Sequence, residues 1–303
     1  MTVPRPDVRR GPALVERAVP DARTEPRPGH TGVPRGRIAA ALSDRVAGRS
    51  VLRSVTMTTV SLLTGLVVWH LFSTYLINPH LIPPPLAVAK TAVLMVRTGE
   101  IFRHAGASLG RILVGFLLGS GTAIVLGVLM GRIRLVNELS DPIVEVLRYL
   151  SPTAMIPIAV IWFGIGESSK YFLIFWGTFF FVLINTIAGV VRTPVARQRA
   201  ARCLGANELQ IFLLVVIPSA LPYIVTGMRV AMAASFMSII PAEMLAADSG
   251  LGYLLQQSSL LIQTDRIFVA LAMISGLGFL TDRLFRLVVA RTLRRFMAVG
   301  LSA

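Results

Sequence analysis

Among the stretches of this chain with no Asp, Glu, Lys or Arg, five of 15 to 23 residues read directly as membrane spans: 55–77, 112–131, 149–166, 171–191 and 267–281. A helix needs about 20 apolar residues to cross a bilayer, so these runs predict an all-α membrane protein. The shortest, 267–281, reaches that length by extending through 287–290 if Arg283 and Arg286 snorkel or face protein. Composition agrees: 54% of the 303 residues are apolar and only 15% charged, against roughly a quarter charged in a soluble domain.

A sixth span must come from 209–242, which Arg229, Pro218 and Pro222 interrupt. Hydropathy alone selects the uncharged run 209–228. A proline removes a helix donor, which favours a span from near Ala220 to near Met244 with Arg229 inside, preceded by a short helix over 209–217 at the membrane face. Between the first two spans, Pro83-Pro84-Pro85 leads into 86–96, a helix lying on the outer surface.

Six spans put both termini on one side. With Arg111 and Arg229 inside spans, 23 of the 30 basic residues fall on the side of the termini and five on the other, or 12 to five without the tail. That bias predicts cytoplasmic N- and C-termini. Residues 1–50 read as a basic, Pro/Gly-rich cytoplasmic tail, disordered at least to residue 37, with 38–50 either its extension or a short helix on the membrane surface. Residues 51–303 form the membrane domain. Ahead of the first span, residues 1–54 carry a net charge of +6 that mixes both signs, with no nucleic-acid motif.

Catalytic and metal signatures are missing. Gly106-Ala107-Ser108-Leu109-Gly110 matches the nucleophile elbow G-x-S-x-G but opens a membrane helix, and no histidine follows. Four scattered histidines and a lone Cys203 make no ligand pattern. Neither Lys90 nor Lys170 follows the glycines of a phosphate loop, so ATP-driven transport would need a second chain to hydrolyse the ATP. The expectation is no catalytic residue, no metal and no cofactor on this chain.

Small residues recur every four positions at Gly115, Gly119, Ala123, Gly127 and Gly131, one helix face that a neighbouring backbone can approach closely. Intramembrane charges are costly and often functional. Arg111 or Arg229 would favour an anionic substrate in the pathway, with Glu243 near the outer end of the fifth span. The competing reading is that the arginines snorkel or tie helices together.

The most informative stretch follows the fourth span: Arg199, Ala200, Ala201, Gly205, Ala206, Phe212 and Pro218, within 196–219. It resembles the coupling segment of permease subunits of binding-protein-dependent ABC importers, whose signature reads Glu-Ala-Ala, three residues, Gly, then Phe and a Leu-Pro. Ala200, Ala201, Gly205, Phe212 and Pro218 match at the family's spacing. Arg199 stands where Glu is usual, and Ile217 where Leu is usual. Residues 149–167, 241–245 and 249–255 are similar to the nitrate/sulfonate/taurine subfamily, and the likeness covers about 80–290. The resemblance implies a type I (MetI-like) permease fold of about six spans in a bacterial inner membrane. It also implies partners: ABC ATPase subunits carrying ATP and Mg, an extracytoplasmic substrate-binding protein, and a second permease copy. A stand-alone secondary transporter is the alternative, though repeat symmetry is not evident.

Overall fold

The computed structural model describes residues 56–292 apart from 58, 62, 77, 79 and 80. The tail expected at 1–50, including the surface helix at 38–50, lies outside the described residues. Helices α1 to α11 run in order: Thr59–Tyr75, then Pro85–Arg97, Glu100–Arg132, Arg134–Leu147, Ile156–Phe163, Glu167–Val191, Val195–Cys203, Glu208–Ile211, Ile217–Ala246, Leu251–Leu260 and Thr264–Thr292. Among the described residues there is no strand.

The core is a three-helix packing of α3, α6 and α9. A Cβ placed on Gly115, Gly119, Gly127 or Gly131 of α3 would come within 2.0–2.8 Å of Ile174, Thr178, Thr186 or Val190 of α6. In every case the partner lies 59 residues later, so the two helices run parallel and in fixed register. Glycine at these positions lets the backbones approach to a distance that no side chain would permit. Ala123 of the same stripe is fully buried. Helix α9 runs the other way along α6: Gly189 meets Tyr223, Gly227 meets Asn185, and Gly177 meets Ser238. Ile112, Phe116, Ile174, Leu183, Ala231 and Phe236 fill the space between the three helices.

Parallel α3 and α6 oblige the chain to recross the whole membrane between Arg132 and Glu167. An 18-residue third span over 149–166 does not form. The structure has α4, turns over 148–155, and then α5 of only eight residues, about 12 Å long. Pro152 removes a donor, Pro157 sits in the first turn of α5, where a proline starts rather than stops a helix, and Gly164 at φ 74° stops α5. Phe163 packs against Phe172 near the start of α6 with the rings tilted at 37°, while Trp176 Nε1 donates to Leu150 O at 3.0 Å. The crossing is therefore α4, a break, and α5 in series. Arg148, counted with the termini in the charge bias, sits at the break.

The fifth span also differs from the sequence reading. Pro218 and Pro222 do not separate a surface helix from a span: helix continues from Glu208 to Leu245 over 38 residues. A π turn, Phe212–Val216, absorbs the proline, with Ile217 N–H bonding five residues back to Phe212 O. Widening the turn just before Pro218 removes the need for the donor that proline lacks. Four helices among the described residues are long and apolar enough to cross a membrane: α3, α6, the continuous α8–α9 and α11.

A second core of Val88, Met95, Ile101, Leu254 and Val269 packs α2, α10 and the start of α11 together at the end of the bundle where α3 and α6 begin. This is the α10 end; the other, where α7 lies, is the α7 end.

Candidate functional site

At the α7 end, α7 buries no side chain. It stops in a Schellman turn: Ala206 N–H donates to Ala201 O at 3.1 Å and Gly205 N–H to Arg202 O at 2.9 Å. Gly205 holds φ 83° with nothing within 4 Å of its Cβ position, so glycine is needed for its left-handed conformation and not for space. Asn207 then caps α8 in a capping box, accepting from Gln210 N–H at 2.8 Å while its own N–H donates to Gln210 Oε1 at 2.9 Å. Glu208 ties the elbow to the body, pairing with Arg202 at 2.7 Å and with Arg132 of α3 at 2.5 Å. Phe212 opens the π turn and packs on Val190, Val216 and Ala220. Pro218 stands in the first turn of α9. Ala200 and Arg199 face outward, and Arg199 has no partner among the described residues. Leu204 at the tip is 89% exposed. The result is a rigid, basic helix-turn-helix projecting from the bundle.

The α10 end holds a buried ionic cluster. Arg111 of α3 donates from Nε and Nη2 to Glu167 of α6 at 2.7 and 2.8 Å. Its Nη1 donates to Glu243 of α9 at 2.8 Å and to Ser249 O at 2.5 Å. Glu243 is fully buried and also accepts from Ser108 Oγ and Gly252 N–H, at 2.8 and 2.9 Å. Lys170 completes the set on Glu167 at 2.9 Å. Two cations thus meet two carboxylates. His104 Nδ1 accepts from Gly250 N–H at 3.0 Å, holding the α9–α10 loop against α3. Gly250 is required there, since a Cβ would meet the Glu243 carboxyl at 2.3 Å.

Arg229 lies apart from this cluster. It is half exposed on α9 and pairs with Asp282 of α11 at 3.0 Å, and Asp282 also pairs with Arg286. Arg229 and Asp282 border a cavity of about 260 Å³. The structure thus joins Arg111 to Glu243 and leaves Arg229 separate from both.

The chain matches the family of binding-protein-dependent transport system inner membrane components over residues 123–294. It belongs to that family. A putative ABC transporter permease of Methanocaldococcus jannaschii is 39% identical over 74% of this chain and 86% of its own length. The taurine transport system permease of Escherichia coli is 35% identical over 76% and 86%. Permeases named for aliphatic sulfonates and for nitrate match at 31–34% identity. The inward-facing MetNI methionine ABC transporter superposes with a TM-score of 0.51 at 20% identity, covering 63% of this chain and 97% of that one, a likeness of fold. The chain is the permease subunit of an ABC importer of the nitrate/sulfonate/taurine type, a multi-pass inner-membrane pathway component and not an enzyme.

In the permease, several residues outside the sequence-derived candidates hold the site together. Glu167, Lys170, Ser108 and His104 complete the buried cluster. The constant 59-residue offset of α3 and α6 brings Ser108 and Arg111 level with Glu167 and Lys170, a juxtaposition with no local sequence signal. Arg148 lines a cavity of about 470 Å³ with Ser151, Trp176, Met237 and Ser238. The signal for it was the Ser-Pro after Tyr149 and Leu150, which marks a break where a span was expected.

Proposed function

We propose that the permease works as a homodimer with cytoplasmic termini, carrying a small anionic solute such as taurine, another sulfonate or nitrate. ATP with its Mg is bound and hydrolysed on separate ATPase chains, and an extracytoplasmic binding protein delivers the solute to the α10 end. The observation that carries this reading is the projecting α7–Gly205–α8 elbow, exposed, basic and fixed to the bundle through Glu208 and Phe212. Arg199, unpaired and carrying the charge opposite to the family's usual Glu, meets an acidic group on the ATPase. Conformational work on the ATPase reaches the membrane through α8, which continues without interruption into α9. Arg229, half exposed along α9, lies on the solute's route. Arg111 and Glu243 hold the helices that form its wall.

The exposed Cys203, the chain's only cysteine, provides the test. The permease is purified from native membranes in mild detergent after treatment with a short thiol-to-amine crosslinker, and the adducts are identified by mass spectrometry. A stoichiometric P-loop ATPase joined to Cys203 supports the reading. Recovery of the chain with no ATPase, with and without crosslinker, refutes it.

A further inference from the structure

Irregular backbone at membrane depth survives only where protein covers it or where it lines a water-filled cavity, because lipid offers no partner to an N–H or C=O. The turns at 148–155 lie at that depth. Trp176, which bonds Leu150 O, is nine residues into α6, and Ser238 is eight residues from the end of α9. Each is therefore about 12–14 Å from the α10 end. Ile184, lining the same cavity, is about 25 Å from it. The cavity thus occupies the middle of the crossing and is open on one side.

Its wall is largely apolar, with Trp176, Phe180, Phe181 and Met237, but unlike the faces that α3 turns outward, which carry Leu113, Leu117, Leu118 and Val125, it also holds the polar side chains of Arg148, Ser151 and Ser238. The Nη2 group of Arg148 donates to Glu145 Oε1 at 2.5 Å and to Tyr149 Oη at 2.8 Å, and the guanidinium carbon lies 4.9 Å from the centre of the Tyr149 ring. Nε and Nη1, three N–H donors in all, have no partner among the described residues. A guanidinium does not lose its proton, and a charge at this depth is costly unless paired or hydrated.

We infer that this cavity is the contact site for the solute in the passage, and that Arg148 takes an oxyanion group on the N–H donors it leaves free. The inference rests on the reading of the permease as an importer of small anions, and it adds the residue and the place. Glu145 and Tyr149 are positioning residues: they fix the guanidinium from one side and leave its other donors facing the cavity. Glu145 also offsets the charge at rest, so the anion is held weakly enough to move on, as conduction requires.

The test reads charge preference in the cavity without needing the natural solute. In the assembled transporter in membrane vesicles, Cys203→Ser removes the native thiol, and Ser151→Cys or Met237→Cys places one in the cavity. Each is reacted with sulfonatoethyl and with trimethylammonioethyl methanethiosulfonate, and each rate is divided by that reagent's rate with a free thiol in solution. The expected result is a preference for the sulfonate reagent of about tenfold, which corresponds to about 1.4 kcal/mol. Adding Arg148→Gln brings the ratio to about one, while Arg148→Lys retains a preference. Three results overturn the inference: no reaction at either cysteine, which would mean lipid or a second copy fills the cavity; equal or faster reaction with the cation; or a preference that survives Arg148→Gln. The importer reading fails separately, by the absence of an ATPase on Cys203 in the wild-type chain.

Discussion

Replacing Arg111 and Glu243 singly and together tests whether the buried cluster acts as one unit. Glu243 is 0% exposed and Arg111 6%, joined at 2.8 Å. In Glu243→Met, Arg111 keeps Glu167 and Ser249, but the charge balance of the cluster moves to +1 and the Gly252 N–H loses its acceptor. Arg111→Met moves the balance to −1. Removing one partner of a buried ion pair costs about 3–5 kcal/mol. The double variant leaves Glu167 with Lys170, a neutral pair already bonded at 2.9 Å. The Gly252 N–H, the Ser108 hydroxyl and the Ser249 carbonyl lose these partners, at about 1–3 kcal/mol for each buried group, but each of these losses is already carried by one of the single variants, and no uncompensated charge is added. The double variant should therefore be about as stable as either single variant or more so, with a coupling of at least about 2 kcal/mol. The assay is the midpoint of heat-induced loss of monodispersity of the full complex in mild detergent. At about 2–4 °C per kcal/mol for a chain of this size, each single change lowers the midpoint by about 6–20 °C. Additivity of the two changes, with a coupling under about 0.5 kcal/mol, would refute the reasoning. Unchanged midpoints with lost uptake would put Arg111 on the solute's route.

Three further outcomes follow from the geometry. Gly119→Val places a branched side chain where even a Cβ would lie 2.0 Å from Thr178 Oγ1; overpacking of this kind costs about 1–3 kcal/mol or more, seen as a lower thermal midpoint, whereas Gly121→Val, with open space around it, should change little. Gly205→Val forces a β-branched residue to φ 83° at a cost of about 1–3 kcal/mol, and should lower ATPase co-purification or uncouple uptake from hydrolysis in proteoliposomes while the permease still folds and inserts. Arg229→Ala should cut uptake while leaving assembly and basal ATP hydrolysis intact; loss of the assembled complex would mean that its bond to Asp282 is a structural tie.

What the sequence made legible was whatever is encoded locally. The uncharged runs located α3, α6 and α11, the four-residue spacing of small residues placed the face of α3 that meets α6, and Gly205 marked the left-handed turn. The proline argument was sound chemistry applied with incomplete context. At Pro218 the helix widens by one residue in a π turn, whose Phe212 and Val216 pack on the bundle, and continues. At Pro152, next to Ser151, no such accommodation occurs and the helix breaks; Pro157 stands in the first turn of α5, which restarts beyond the break. Nothing local distinguishes the two outcomes. The ionic cluster was illegible for another reason: its charged members Arg111, Glu167 and Glu243 are 56 and 132 residues apart along the chain, and only the parallel register of α3 with α6, together with antiparallel α9, brings them together.

The break in the third crossing also sets an order of assembly. A nascent chain inserting into the bilayer can lodge α3 or α6 unaided, since each satisfies its own backbone hydrogen bonds. The segment over 148–155 has no such independence: Leu150 O needs the Trp176 indole, and Trp176 is synthesised afterwards. Residues 133–166 can settle at membrane depth only once α6 and then α9 arrive to cover them. A chain truncated before α6 should therefore leave this stretch on the side where α3 ended, so that the third crossing is the last to be completed although it is the third to be translated.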